Sequence, residues 1–158
     1  MLRIGCGVLA AMVFAGPAYA QSSEGTTFIS GILDEVCTID TAVSQATIDL
    51  SSGSAQDVTS VTYTCNTLGG FSRAISSQNG GRLVRGAQAI PYTISHSGIS
   101  DLALGASDLS APLVSAVPAS AAVTLGSAGV LRANISDIPA NLLAGEYSDV
   151  VTISVTSN

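Results

Sequence analysis

The last segment of the chain, residues 147–155, has the alternating pattern of a β-strand with one buried face. One parity is apolar or aromatic and the other is hydroxylic: Tyr147, Val151, Ile153 and Val155 against Thr152 and Ser154. Side chains two residues apart lie on the same face of a strand, so the pattern predicts a strand packed on a core. Only residues 156–158 follow, and they include no charge or proline that would protect an open edge. We therefore expect another chain to complete this strand.

The first twenty residues have the features of a secretory signal peptide. Arg3 supplies the positive start, residues 4–14 are almost uninterruptedly apolar, and Ala18-Tyr19-Ala20 is a small-residue cleavage site. The alternative is a membrane anchor, but the apolar run is shorter than the roughly 20 residues that span a bilayer. We expect residues 1–20 to be removed on export.

Residues 21–158 are enough for one domain and too few for two. The chain has no lysine, and losing Arg3 changes the net charge from −6 to −7. Proteins that bind nucleic acids or anionic membrane surfaces need a patch of basic side chains. We therefore expect no nucleic-acid partner and no membrane insertion.

Cys37 and Cys65 are the two cysteines that remain after cleavage. In an exported chain such a pair predicts a disulfide. A metal site would need further Cys or His ligands, and a catalytic thiol would need a base, yet the one histidine is His96.

Short apolar runs separated by turn residues predict an all-β fold of about eight strands and no helix. The segments from which we expect these strands are residues 27–39, 46–50, 58–65, 71–76, 82–84, 89–95, 121–125, 130–135 and 147–155. Residues 77–81 predict a hairpin turn, and residues 97–118 predict a loop. This spacing favours an immunoglobulin-like β-sandwich.

An enzyme is not expected, and neither is a cofactor. The chain has no G-x-S-x-G motif, and His96 is expected to be a surface residue at a strand end. Asp34 and Glu35 are adjacent, so on a strand they would face opposite ways and could not form a glycosidase pair.

Several segments together resemble the spore coat protein U domain family. They are Cys37-Thr38-Ile39, Val61-Thr62-Tyr63-Thr64-Cys65, Asn79-Gly80-Gly81-Arg82, Ile90-Pro91-Tyr92-Thr93-Ile94 and residues 143–155. The resemblance spans residues 21–158, and its most specific part is the ending. That family includes secreted pilins of the archaic chaperone-usher pili.

The resemblance implies an immunoglobulin-like sandwich that lacks its last strand. A periplasmic chaperone would first fill the gap, and the N-terminal segment of the next subunit would then replace it at an outer-membrane usher. It implies a structural pilin subunit that is exported through the periplasm and polymerises into surface fibres for adhesion or biofilm formation. Ser157-Asn158 stands where family members often end in an aromatic residue, which leaves a minor subunit possible. The alternative is a secreted binding module or coat protein that does not polymerise.

The resemblance also divides the chain into a donor segment, residues 21–35, and a sandwich domain, residues 36–158. The expected donor side chains are Thr27, Ile29, Gly31 and Leu33, and the expected acceptor side chains are Tyr147, Val151, Ile153 and Val155. Phe28 and Ile32 lie on the opposite parity, so the donor register stays open. In the alternative, residues 27–36 are the first strand of an ordinary domain.

Overall fold

The structure, a computed structural model, describes residues 23–119 and 126–158. These residues contain ten β-strands and no helix, so the predicted all-β class is confirmed. The strands are β1 (Cys37–Thr41), β2 (Gln56–Cys65), β3 (Phe71–Ser77), β4 (Arg82–Arg85), β5 (Gln88–Pro91), β6 (Thr93–His96), β7 (Leu104–Ser107), β8 (Leu113–Val117), β9 (Ser127–Asn134) and β10 (Val151–Ser157).

Every strand pairing is antiparallel, and the strands form three sheets. A five-stranded sheet has the order β1-β2-β9-β6-β7, and a three-stranded sheet has the order β10-β3-β8. The hairpin β4-β5 forms the third sheet, and an isolated bridge joins Val84 of β4 to Ser148, just before β10. The chain separates into two units, and all ten strands lie in the second, residues 33–158.

The two larger sheets contribute side chains to one core. In β3, Phe71 and Ile75 are buried on one parity, and in β2 the same is true of Val61 and Tyr63. The rings of Tyr63 and Phe71 stack with centroids 5.7 Å apart. Fully burying side chains of this size stabilises a fold by roughly 1.5–3 kcal/mol each, so these alternating strands hold the two sheets together.

The predicted disulfide between Cys37 and Cys65 is present, with an S–S distance of 2.03 Å. The two cysteines are also direct partners in the ladder between β1 and β2, so the disulfide fixes this register. It links residues 28 positions apart. Closing a loop of that length stabilises a domain by about 3 to 4 kcal/mol in the chain-entropy treatment.

The strand predicted at residues 46–50 is wrong. The side chain of Gln56 donates from Nε2 to the Asp49 carbonyl at 2.7 Å and accepts from the Asp49 amide at 2.7 Å. The Asp49 carboxylate then accepts from the Ser51 amide at 2.9 Å. Because side chains satisfy the backbone groups that a strand would pair, the segment becomes a loop.

The hairpin predicted at residues 77–81 is also wrong, although the turn is present. Gly80 and Gly81 have φ values of 63° and 75°, which suit glycine. A Cβ on Gly81 would lie 2.9 Å from the Leu109 amide nitrogen. The strands on either side do not pair, because β3 lies between β10 and β8 whereas β4 pairs with β5.

Two further segments differ from the prediction, and a third prediction is not tested. Residues 89–95 form two strands in different sheets, β5 and β6, because the chain breaks at Tyr92, whose amide donates to the Gly81 carbonyl at 3.0 Å. Residues 97–118 contain β7 and β8 and are not only loop. The strand predicted at residues 121–125 lies outside the described residues.

Candidate functional site: an open groove beside β10

The strands β1 and β10 are edge strands of different sheets. β1 pairs with β2 and β10 pairs with β3, and in the part of the chain that the structure describes neither has a second neighbour. Their Cα atoms approach within 8 Å, yet no ladder joins them. One side of β10 therefore carries backbone N–H and C=O groups that no described residue pairs.

A cavity of about 570 Å³ opens between these edges. It is lined by residues 43–48, which follow β1, by residues 145–151, which lead into β10, and by core side chains between them. Those core side chains are Val58, Leu83, Tyr92, Ile94, Leu131 and Ala133. We call this cavity the groove. Its core-facing lining is largely apolar, so it can hold side chains of a hydrophobic strand.

Burial along β10 follows the predicted parity. Val151, Ile153 and Val155 are half-buried against the core, and Thr152 and Ser154 are exposed. Tyr147 lies before the strand, which begins later than predicted, and it too is half-buried. The structure brings Tyr147, Val151 and Ile153 together at the groove, whereas Val155 lies further along β10 and does not line it.

Asp149 fixes the start of β10 to the turn after β3. Its carboxylate accepts hydrogen bonds from the Tyr92 hydroxyl at 2.6 Å and the Asn79 amide at 3.0 Å. The Ser77 hydroxyl donates to the same carboxylate at 2.5 Å and accepts from the Gly81 amide at 2.7 Å. Burial and the contact with Asp149 raise the pKa of Tyr92, so that hydroxyl stays a donor at neutral pH. We call Asp149, Ser77 and Tyr92 the latch.

A second set of contacts positions the loop that precedes β10. The Gln88 side chain accepts from the Tyr147 hydroxyl at 2.6 Å and from the Leu143 amide at 3.0 Å. It donates to the Asn141 carbonyl at 3.0 Å. These bonds hold the aromatic ring of Tyr147 at the groove.

The residues predicted as the donor lie in an exposed segment outside every strand. Residues 23–36 are all exposed, and the strand predicted at 27–39 is present only from Cys37 onwards. Thr27, Ile29, Gly31 and Leu33 belong to this segment, as do the opposite-parity residues Phe28 and Ile32. The four large apolar side chains, Phe28, Ile29, Ile32 and Leu33, are 92%, 89%, 97% and 83% exposed. An ordinary first strand made of residues 27–36 is therefore not what this structure contains.

The prediction that His96 lies on the surface is wrong. His96 ends β6 but is 2% exposed, and its Nε2 lies 3.1 Å from the Tyr63 hydroxyl. Gly129 permits this position, because a Cβ there would collide with the imidazole ring. His96 shares its parity with the buried Ile94, and that was the signal that could have located it.

Arg73 is the other buried group that the sequence reasoning missed. It is 1% exposed, and its guanidinium carbon lies 5.5 Å from the centre of the Tyr63 ring. Its Nη1 donates to the Leu102 carbonyl at 3.0 Å, and its Nη2 donates to the Ser115 hydroxyl at 3.2 Å. Within the described ranges the single ion pair joins Arg132 to Asp57, so Arg73 has no carboxylate partner there. Its parity with Phe71 and Ile75 pointed to this inward position.

Acidification is expected to destabilise the protein through His96. Burial, reinforced by the Arg73 charge, lowers the pKa of His96 from 6.5 to about 4. The unfolded chain therefore binds the proton first as the pH falls, so stability is intact above about pH 6.5 and declines towards pH 4. The predicted loss between about pH 7 and pH 4 is about 3 kcal/mol.

Urea unfolding at several pH values, comparing the wild type with His96→Gln, measures this loss. The glutamine side chain in the variant can still bond to Tyr63 but does not titrate, so the variant should lack the decline in this interval. Titration of the carboxylates changes the free energy of unfolding of both proteins in the same way. The difference between their two curves of free energy against pH therefore gives the contribution of His96. Parallel curves would contradict the prediction.

The described ranges contain no group of three or more His, Cys, Asp or Glu side chains placed to bind a metal ion. Asp34 and Glu35 are both exposed. Within residues 23–119 and 126–158, no helix has the length and apolar character to cross a membrane. No protein-family model matches the chain, and a search of curated proteins finds no match to it.

Proposed function

We propose that this chain is a secreted structural subunit that polymerises into surface fibres by donor-strand complementation. The domain would be an immunoglobulin-like sandwich that lacks one strand, as the resemblance to the spore coat protein U domain family implies. One observation carries the proposal: the same chain has an open apolar groove beside an unpaired strand edge and an exposed apolar segment outside its own core.

The groove has what an added strand requires. The free side of β10 offers a row of backbone groups, and main-chain hydrogen bonds to such an edge provide affinity when a strand is added. Alternate side chains of the added strand would enter the groove beside Val151 and Ile153 and fix the register. β10 has 7 residues, and residues 27–33 of the exposed segment match it in length.

The occupant we propose is the segment 27–33 of a second copy. Ile29 and Leu33 are almost fully exposed, and burying two such side chains stabilises a complex by roughly 3 to 6 kcal/mol before ordering costs. The segment between Glu24 and Asp34 carries no charge. An uncharged strand suits a groove that Glu146 and Asp149 also line, in a chain whose net charge is negative.

Such a contact joins two different surfaces of identical subunits. A contact of this type does not close on itself, so repeating it extends a filament. Before assembly the groove would need a periplasmic chaperone, and release from the chaperone would take place at an outer-membrane usher. The product would serve adhesion or biofilm formation at the cell surface. The proposal includes no enzymatic activity and no cofactor.

A peptide added in trans tests the function. A subunit that begins at Asp34 keeps all ten strands and lacks the donor segment. A synthetic peptide of residues 21–35 should bind it, and at a hundredfold excess over Kd the gain of about 2.7 kcal/mol should raise Tm by about 10 °C. Without the peptide, this truncated subunit should cap a growing fibre and not extend it.

Two variant peptides serve as matched controls that also determine the register. Ile29→Asp with Leu33→Asp should remove the effect if the odd parity enters the groove, and Phe28→Asp with Ile32→Asp should then leave it. A truncated subunit that is a stable monomer and binds none of the peptides would contradict the proposal. The monomeric binding module would then be the better account, and full-length protein should give one monodisperse peak by size exclusion.

A further inference from the structure

Asn66, the residue after β2, holds the chain just before β1 through three hydrogen bonds. Its amide donates to the Val36 carbonyl at 3.2 Å, and its Oδ1 accepts from the Val36 amide at 2.6 Å. Its Nδ2 donates to the Asp34 carbonyl at 2.9 Å. The orientation of the carboxamide follows from chemistry, since the Val36 amide is a donor and must face an oxygen.

These bonds extend the ladder between β1 and β2 beyond the disulfide. Cys37 pairs with Cys65, and the next residues outward, Val36 and Asn66, continue the same line. Residues 34–36 are therefore fixed in line with β1 although they belong to no strand. Ser or Asp at position 66 could not replace this contact, because only a carboxamide both donates and accepts at that reach.

Residues 27–33, the part of the donor segment proposed to enter a groove, end directly before residues 34–36, which creates a competition. A segment attached to its own domain by so short a link has an effective concentration in the millimolar range, far above that of a second copy in solution. To enter its own groove, the segment would have to reverse direction within residues 34–36 and run back beside β1. A tight reversal needs turn dihedrals at these positions, which the bonds to Asn66 oppose.

Building on the proposed function, we propose that Asn66 is a positioning residue that prevents a subunit from filling its own groove. By holding residues 34–36 extended, it directs the donor segment to a second copy of the chain. The residue thus determines whether complementation occurs within one molecule or between molecules. It does so without contacting the groove, because none of the groove-lining residues lies at positions 34–36 or 66.

The test refolds residues 21–158 as the wild type, Asn66→Ala and Asn66→Asp, and measures two quantities. Size exclusion gives the ratio of monomer to higher species, and the peptide of residues 21–35 reports whether the monomer's groove is open. Asn66→Ala removes both side-chain hydrogen bonds, to the Val36 amide and the Asp34 carbonyl. It should therefore raise the proportion of monomer at least about tenfold, and this monomer should not bind the peptide. Asn66→Asp keeps the acceptor for Val36 but loses the donor to Asp34, so its effect should be intermediate.

Two controls separate positioning from simple loss of stability. Asn66→Ala in the subunit that begins at Asp34 should bind the peptide as the unmutated truncated subunit does, because no donor remains to compete. Ser110→Ala removes an exposed side chain that bonds to the neighbouring Asp108 and does not line the groove, and it should leave the monomer ratio unchanged.

The inference is overturned if full-length Asn66→Ala polymerises and accepts the peptide as the wild type does. It is also overturned if the variant lowers Tm equally in the full-length and truncated forms and leaves the ratio unchanged, since that is the result of a structural role alone. Failure of the proposed function gives a different result, in which the wild type neither forms chains nor, when truncated, binds the peptide. In that case both the proposed function and the role of Asn66 are rejected.

Discussion

Replacing Ile153 with Asp is expected to abolish peptide binding and chain growth, whereas Ser154→Asp should leave both nearly unchanged. Ile153 is half-buried, lines the groove and lies opposite the buried Ile75 in the ladder with β3. Ser154 is exposed and lies opposite Ala74 on the other face. An added strand would cover position 153 and remove its carboxylate from water, which costs several kcal/mol without a partner.

Because the groove is open in the free subunit, the Ile153→Asp substitution should cost more free energy in peptide binding than in folding. In the free subunit an Asp at position 153 keeps part of its hydration, because the groove is open there. Once a donor strand fills the groove, that hydration is lost. The truncated subunit with Ile153→Asp should therefore fold, as checked by limited proteolysis, yet show no rise in Tm with the peptide. Equal losses from Ile153→Asp and Ser154→Asp would mean that the faces of β10 are assigned wrongly.

Removing the Asp149 carboxylate is expected to lower the free energy of unfolding by about 3 kcal/mol, since bonds to charged groups contribute about 1.5–3 kcal/mol each. Asp149→Ala leaves the Tyr92 hydroxyl and the Asn79 amide without their acceptor in a half-buried place. It also releases Ser77, which organises the turn at residues 77–81. Urea unfolding measures the change as a shift in the midpoint.

Asp108→Ala is the matched control for this latch. Asp108 also accepts a local backbone bond, from the Ser110 amide at 3.0 Å, but it is exposed and bonds to no strand among residues 23–119 and 126–158. Its loss should cost well under about 1 kcal/mol, as is usual for exposed positions. Because the latch holds the start of β10, Asp149→Ala should also weaken peptide binding, whereas Asp108→Ala should not. Similar effects from both variants would rule out the latch.

Features that depend on short-range patterns could be predicted from the sequence. The period-2 alternation placed β2, β3 and β9 within a few residues and gave the faces of β10. The count of cysteines outside the predicted signal peptide predicted the bridge between Cys37 and Cys65, because each had only the other as a partner there. The parity of Tyr147, Val151 and Ile153 likewise predicted which side chains would turn towards the core.

Features that depend on competing partners could not be predicted in this way. Residues 46–50 alternate like a strand, but the Gln56 side chain occupies the backbone groups of Asp49. Residues 89–95 have one continuous pattern, yet the chain breaks at Tyr92 and joins two sheets. An alternating pattern shows which side chains are apolar. It does not show which distant residue will form the hydrogen bonds of a given backbone segment.

Local periodicity and composition were enough to predict an all-β chain, the bridge between Cys37 and Cys65 and the apolar face of the final strand. The positions of β1 and β10 at the edges of different sheets, with an apolar groove between them, became known only from the folded chain. The same is true of the burial of Arg73 and His96 around Tyr63. Strand order and burial of polar groups are set by long-range pairing between residues far apart in the chain, and no local pattern contains that information.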